Sequence, residues 1–240
     1  MNTKKRISSL YDIAPTYPRI LHLDKNISNM TSDDIVLEDK IQFPLSCWVQ
    51  EKIDGANMGL SWNSGPIIRN RNNILKKGYI KKETPAKLQF RGSWNWLHDH
   101  NKDIQNLSKS LMTIVTIFGE WMYAKHSLYY DKLPDVFIAY DIFLPEYDHW
   151  LSPDVFKSEI SKTNISYINP EFKKFDKLTD IVSMSEMQSK YRDGICEGIV
   201  LKISEGDKLN KSFKVVNKHF KRREDFNEEL IKNKITKRWK

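Results

Sequence analysis

Lys52 stands at the end of an apolar run, residues 47–53, and Asp54 and Gly55 follow within three positions. An ammonium is not a nucleophile. It becomes one when burial or neighbouring cations lower its pKa, and the free amine then attacks a carbonyl or a phosphorus. Read alone, Lys52-Ile53-Asp54-Gly55 is also a surface lysine before a turn. Other charged and aromatic residues follow in order. Asn70-Arg71-Asn72 places Arg71 19 residues after Lys52. Gly119-Glu120-Trp121 comes next, and Tyr140 lies 20 residues beyond Glu120 in Phe137-Ile138-Ala139-Tyr140-Asp141-Ile142. Glu197-Gly198-Ile199-Val200-Leu201-Lys202 and Phe213-Lys214-Val215-Val216-Asn217 complete the series. Each has a plainer reading. Tyr140 in an apolar strand is more often a core residue. Glu120 and Glu197 could be exposed or edge-strand carboxylates. Arg69 and Arg71 share a strand face by their i, i+2 spacing, so either could reach a pocket or remain a surface charge.

Positioning these groups calls for strands. Residues 47–53 and 57–62 read as two strands about the Asp54-Gly55 turn, and Asn63-Ser64-Gly65-Pro66 turns into a third. Leu97, Ile104, Leu107 and Leu111 fall at helical spacing within 93–112. Residues 113–121 and 135–143 read as apolar strands. Ser152-Pro153 is a helix start, a side-chain N-cap followed by proline, and predicts a helix to about Lys162. A short strand at 165–168, a helix at 178–190 and strands at 195–203 and 212–216 complete the order. Hairpin-joined strands with inserted helices predict an α+β domain of largely antiparallel sheets.

Composition bounds the partners. The chain has 240 residues, 40% apolar and 29% charged, which suits a globular protein and excludes a mainly disordered one. No apolar run nears the roughly 18–20 residues that span a bilayer, and the N-terminus lacks a secretory apolar core, so a cytoplasmic setting without membrane contact is expected. Cys47 and Cys196 form no Cys-x-x-Cys pair and read as small packing residues. His98 and His100, two apart on a helix, are poor metal partners, and Trp94 and Trp96 read as helix packing. Phosphate-binding Gly-rich loops, H-E-x-x-H and G-x-S-x-G are absent from the sequence. The net charge of +8 is concentrated: residues 208–240 carry twelve Lys and Arg against four Asp and Glu, the whole excess. Phe213, Phe220, Phe226 and Trp239 lie among these cations, a pattern suited to nucleic acid. The alternative is a docked helix with Phe226, Leu230, Ile231 and Ile235 on its apolar face.

The order and spacing of these motifs resemble the covalent nucleotidyltransferase superfamily, and most of all the RNA ligases of the phage T4 RNA ligase 2 type. The resemblance runs from about Trp48 to Phe220. It implies a nucleotidyltransferase (ATP-grasp-like ligase) fold of antiparallel sheets flanked by helices. It implies an adenylyltransferase domain over 1–220 and a basic tail or helix over 221–240, with no OB-fold domain. Lys52 would carry the nucleotide through a phosphoramide bond, with Lys214 as the catalytic phosphate clamp. Glu51, Arg71, Glu120, Tyr140 and Lys202 would help bind the nucleotide: Glu120 through the ribose and Tyr140 by stacking on adenine. Glu197, with Asp54, would serve the metal. The last motif departs from Lys-x-Lys, because Val216 stands where the second lysine would be; Lys202, Lys211 and Lys218 are candidates for the missing charge. ATP as AMP donor and Mg²⁺ or Mn²⁺ are the expected cofactors, and RNA ends, free or in a nicked duplex, the expected partner. A positive field around the triphosphate would lower the pKa of Lys52. The competing activities are an ATP-dependent DNA nick ligase and an mRNA guanylyltransferase, both of which usually carry an OB-fold after the last motif. A binding module that kept only the fold would have no use for a reactive lysine.

Overall fold

The structure is a computed structural model that describes residues 4–38, 41–76, 85–221 and 230–236. Its elements run in the order α1 (Leu10–Ile13), β1 (Leu21–His22), β2 (Leu45–Lys52), β3 (Ala56–Trp62), β4 (Pro66–Asn70), α2 (Pro85–Leu88), α3 (Ser93–Asp99), α4 (Asn101–Ser110), β5 (Thr116–Trp121), β6 (Phe137–Leu144), β7 (His149–Trp150), α5 (Pro153–Ile160), β8 (Glu171–Phe175), α6 (Leu178–Ser185), β9 (Gly198–Glu205) and β10 (Lys208–Val216). Two five-stranded sheets form, ordered β1-β10-β9-β2-β8 and β4-β3-β5-β6-β7. Every strand pair is antiparallel except β1 with β10. This is the α+β architecture expected.

Three buried clusters hold the sheets. Met58, Leu60, Ile117 and Phe137 of the second sheet pack against Trp96, Leu97, Ile104 and Leu107 of α3 and α4, and against Phe156 and Ile160 of α5. Val49, Ile199, Leu201, Phe213 and Val215 turn to one side of the first sheet and bury Ile181 of α6. By strand alternation Gln50, Lys52, Val200, Lys202 and Lys214 emerge on the other side, toward the second sheet. A third cluster, with Ile53, Met122, Tyr130, Leu133, Ile138 and Ile168, lies beside the turn after Lys52.

Several boundaries differ from the sequence reading. The 93–112 segment is two helices broken at His100 (φ −98°, ψ 11°), whose ring stacks on Trp96 at 3.8 Å. Ser152 does precede Pro153 at the start of α5, but its hydroxyl is buried and makes no capping bond. Residues 165–168 make only one bridge, Tyr167 to Ala139, instead of a strand. Helix α6 stops at Ser185, five residues short of expectation, because the chain turns so that Ser189 and the Lys190 amide can reach Glu51. Residues 230–236 are not helical: they run extended along residues 122–133, bridging Ala124 through Lys232 and Leu133 through Ile235. Phe226, Arg222 and Arg223 lie outside the described residues. Among the described residues no helix is long and apolar enough to cross a membrane. Cys47 and Cys196 are both buried, as expected of packing residues, and burial pushes both thiols up to about 12.

Candidate active site

A cleft of about 990 Å³ opens between the sheets and is bordered by Lys52, Asp54, Arg71, Glu120, Tyr140, Glu197, Lys202 and Lys214. The strands bring together residues up to 162 positions apart, Lys52 and Lys214. Two glycines make this approach possible. A Cβ on Gly198 would stand 2.2 Å from the Val215 carbonyl, so only glycine lets β9 and β10 meet beside Glu197. A Cβ on Gly119 would stand 2.4 Å from the Ile138 carbonyl, at the bulge that precedes Glu120.

Lys52 is paired with one carboxylate and lies in the field of two more. Its Nζ lies 2.7 Å from the Glu197 carboxylate, and its side chain is 26% exposed to the cleft. Burial pulls its pKa down, but Glu197, Asp54 and Glu120 outweigh burial and leave the ammonium above its ordinary value. The protein's own groups therefore do not give Lys52 the depressed pKa expected of a nucleophile. Glu120 shows the reciprocal effect: burial, aided by Glu197 and Asp54 and opposed by Lys52, pushes its carboxyl up to about 8. Its Oε2 is buried and makes no hydrogen bond among the described residues. An orphaned acceptor at a cleft wall is suited to a ligand hydroxyl.

The aromatic wall joins the N-terminal segment to β6. Tyr140 is half-buried, and its hydroxyl accepts a hydrogen bond from Asn57 Nδ2. Tyr17, from the segment between α1 and β1, packs edge-on against Tyr140 at 5.1 Å and donates to Asp141 Oδ2 at 2.6 Å. Burial holds both phenols well above their ordinary pKa. Lys202, 1% exposed, gives its ammonium to Asp141 Oδ1 at 2.6 Å and to the Tyr140 carbonyl at 3.0 Å, and lies 5.6 Å from the Tyr140 ring centre. Burial lowers its pKa against the pull of Asp141. Lys202 therefore anchors the Tyr140-Asp141 strand, and its charge is already taken up.

The remaining candidates sort by strand geometry. Glu51 faces away from Lys52 by alternation, and its carboxylate is taken by the Ser189 hydroxyl and the Lys190 amide. Asp54 Oδ2 accepts from the Ser127 and Leu128 amides at 2.6 and 3.2 Å, which ties it to the loop after β5. Arg69 is 2% exposed and binds the Ala14 carbonyl and Thr16, whereas Arg71, just past β4, is exposed at the cleft. Lys214 reaches Asp34 Oδ1 at 2.7 Å, and Val216, where the second lysine was sought, is fully buried beside Gly198. Asp34 also faces His22 Nε2 at 3.2 Å. Lys211 and Lys218 do not border the cleft. Sequence reasoning missed Tyr17, Asp34, Gln50, Asn57, Asp141 and His126, all but one of which border the cleft; the exception, Asp141, braces it. The aspartate stood inside a quoted motif, but nothing local marked the N-terminal residues.

Among the described residues no three His, Cys, Asp or Glu side chains are grouped to hold a metal ion. A hard divalent ion that keeps several other oxygen ligands needs few protein carboxylates, and Glu197 and Asp54 are the two near Lys52 that suit it.

The RNA ligase family pattern matches residues 45–216, from the start of β2 to the end of β10. The chain belongs to the RNA ligase family. Among solved structures, the fold resembles Naegleria gruberi RNA ligase with pyrophosphate (TM-score 0.54, 20% identity, 72% of this chain and 50% of that one). It resembles equally a lysine-to-alanine variant of that enzyme with ATP and manganese (TM-score 0.54, 18% identity, the same coverage). A glutamate-to-alanine variant with ATP and manganese aligns over 90% of this chain and 63% of its own (TM-score 0.51, 16% identity). The chain thus spans about half the length of the first solved ligases it matches. No curated protein matches it.

Proposed function

We propose that this RNA ligase family member is an ATP-dependent ligase that joins 5′-phosphate and 3′-hydroxyl RNA ends through a lysyl-AMP intermediate. The observation that carries the reading is Lys52 at the centre of one cleft with Glu120, Tyr140, Arg71 and Lys214 on its walls. In the first step Lys52 Nζ attacks the α-phosphorus of ATP. The Lys52 ammonium first gives one proton to solvent, which reaches its partly exposed side chain, and only the free amine attacks. The N–P bond forms as the P–O bond to pyrophosphate breaks, and the nitrogen gives a second proton to solvent to leave a neutral phosphoramide. Glu197 holds Nζ in place beforehand. Glu120 Oε2 offers the acceptor for a ribose hydroxyl, and Tyr140 offers a ring for adenine. Arg71 and Lys214 face the phosphates, where opposite charge is worth most in a partly dry site. A divalent ion held by Glu197 and Asp54 would supply charge neutralisation of the phosphate oxygens. AMP then passes to a 5′-phosphate, and the 3′-hydroxyl displaces it.

Incubation with α-labelled ATP should leave label on denatured protein, chelator should abolish it, and Lys52→Ala should remove it with the fold intact. Label from GTP in place of ATP would turn the reading to a guanylyltransferase. Sealing of nicked DNA but not RNA would turn it to a DNA ligase.

A further inference from the structure

Asn233 lies outside the stretch that the family pattern matches, and it is a buried polar side chain with three hydrogen bonds. Its Nδ2 donates to the Met122 and Ala124 carbonyls, both at 3.0 Å. Its Oδ1 accepts from the Tyr130 amide at 2.9 Å. One side chain therefore staples both ends of the loop 122–130. The main chain around it adds Lys125 N to Ile231 O at 2.7 Å, Lys234 N to Tyr130 O at 2.9 Å and Thr236 N to Leu133 O at 2.8 Å.

The inner side of the same loop meets the nucleophile's turn. The buried Tyr130 hydroxyl accepts a hydrogen bond from the Asp54 backbone N–H at 2.8 Å. The Ser127 and Leu128 amides hold Asp54 Oδ2. The His126 ring borders the cleft beside Gln89, with Nε2 and Oε1 3.0 Å apart. Asp54 is two residues from Lys52. The loop thus lies between Asn233 on its outer side and Asp54 on its inner side.

We infer that Asn233 is a positioning residue for the adenylylation step, acting through Tyr130 on the Lys52-Ile53-Asp54 turn, and that the segment 230–236 is a working part of the catalytic domain. The inference rests on the lysyl-AMP reading above. Three satisfied hydrogen bonds on one buried amide are costly to lose, because each abandoned partner keeps its desolvation penalty. Hydrophobic packing of Tyr130 and Leu133 alone would hold the loop near its place. It would not fix the Tyr130 amide, and with it the hydroxyl, to the fraction of an ångström that an in-line attack needs.

The experiment uses the full chain and single-turnover transfer of α-label from ATP to protein, with ATP concentration varied and Tm measured on each variant. Wild type must label; if it does not, the lysyl-AMP reading fails and this inference is not what failed. Asn233→Ala is expected to slow the maximal labelling rate by about ten- to a hundredfold with KM for ATP within about twofold, at a temperature where the variant is folded. Tyr130→Phe, which keeps the ring and deletes the bond to Asp54, should show the same split. The double variant should be no slower than the worse single one, because both act through one link. A lowered Tm with a wild-type labelling rate in Asn233→Ala would overturn the inference, as would effects that multiply in the double variant. Should Asn233→Ala fail to fold, Tyr130→Phe decides alone: labelling at the wild-type rate overturns the relay.

Discussion

At the scale of single residues, the protein's own charges are arranged against the chemistry proposed for the site. Glu197 is the largest charge that opposes burial at Lys52 and keeps it protonated. Glu197→Gln should therefore move the reactivity of Lys52 toward lower pH. The measurement is the pH profile of Lys52 modification by an amine-reactive probe, without nucleotide or metal; an unmoved profile would mean that another group sets the pKa. Glu120 carries the opposite signature. Its carboxyl is raised from 4.5 to about 8 by burial first and by Glu197 and Asp54 next. A raised acid contributes no penalty below its unfolded pKa, where both states are protonated, and stability is lost as pH rises toward the folded value. Glu120→Gln should therefore raise Tm at pH 8 and change it little at pH 4.5, while weakening ATP use. Thermal melts at the two pH values check the first half. Equal gains at both would show that the effect is not ionisation.

At the scale of elements, the sequence was most informative where a strand carries its motif inside itself. Lys52 ends β2, Glu120 sits in β5, Tyr140 in β6 and Lys214 in β10, each within an apolar run whose alternation marks both the strand and the facing side. Period-2 reasoning also explains the roles of two neighbours: Glu51, at the cleft border, is one residue out of phase with Lys52 and binds Ser189 and the Lys190 amide, and Arg69 points from β4 into the N-terminal segment. What could not be read was the pairing of distant pieces. Strand β8, Glu171–Phe175, has a single buried residue and three charges, and its Phe172 and Phe175 are three positions apart, so it has no alternating apolar signal; it is placed by pairing with β2. Strand β1 is two residues long and owes its place to β10. The contact that this pairing creates, Asp34 on Lys214, makes a prediction. Burial alone would raise the Asp34 carboxyl, but Lys214 and the Thr31 amide hold it far below its ordinary range. A depressed acid contributes stability above its unfolded pKa and loses it as pH falls. Asp34→Asn should lower Tm at pH 7 more than at pH 3. It should also lower KM for ATP several-fold, up to about tenfold, by removing a competitor for Lys214. A higher KM would show instead that Asp34 aims the lysine.

At the scale of the whole molecule, the charge arithmetic and the docked C-terminal segment meet. Residues 1–207 balance to zero, so the field that attracts a polyanion comes from 208–240. Charge placement alone would make the two functions separable: a chain ending after Phe220 would keep the nucleotide pocket and lose only its hold on RNA. The structure argues otherwise, because such a chain also loses Asn233 and its three bonds to the loop beside Asp54. Truncation should therefore depress lysyl-AMP formation and RNA binding together. The charges can still be tested apart from the staple. Alternation about the buried Asn233 sends Lys232 and Lys234 outward, and both are exposed, with Lys232 Nζ 5.4 Å from the Tyr123 ring centre. Lys232→Gln with Lys234→Gln leaves every Asn233 bond in place. Lysyl-AMP formation should then match wild type. RNA binding should weaken, and the slope of log affinity against log salt should flatten by about 1.4 if both cations meet phosphates of a single strand. Titration of labelled single-stranded RNA at several salt concentrations measures the slope. An unchanged slope would place the RNA-binding cations elsewhere in 208–240, with Lys214 and the outward lysines of β10 next in line.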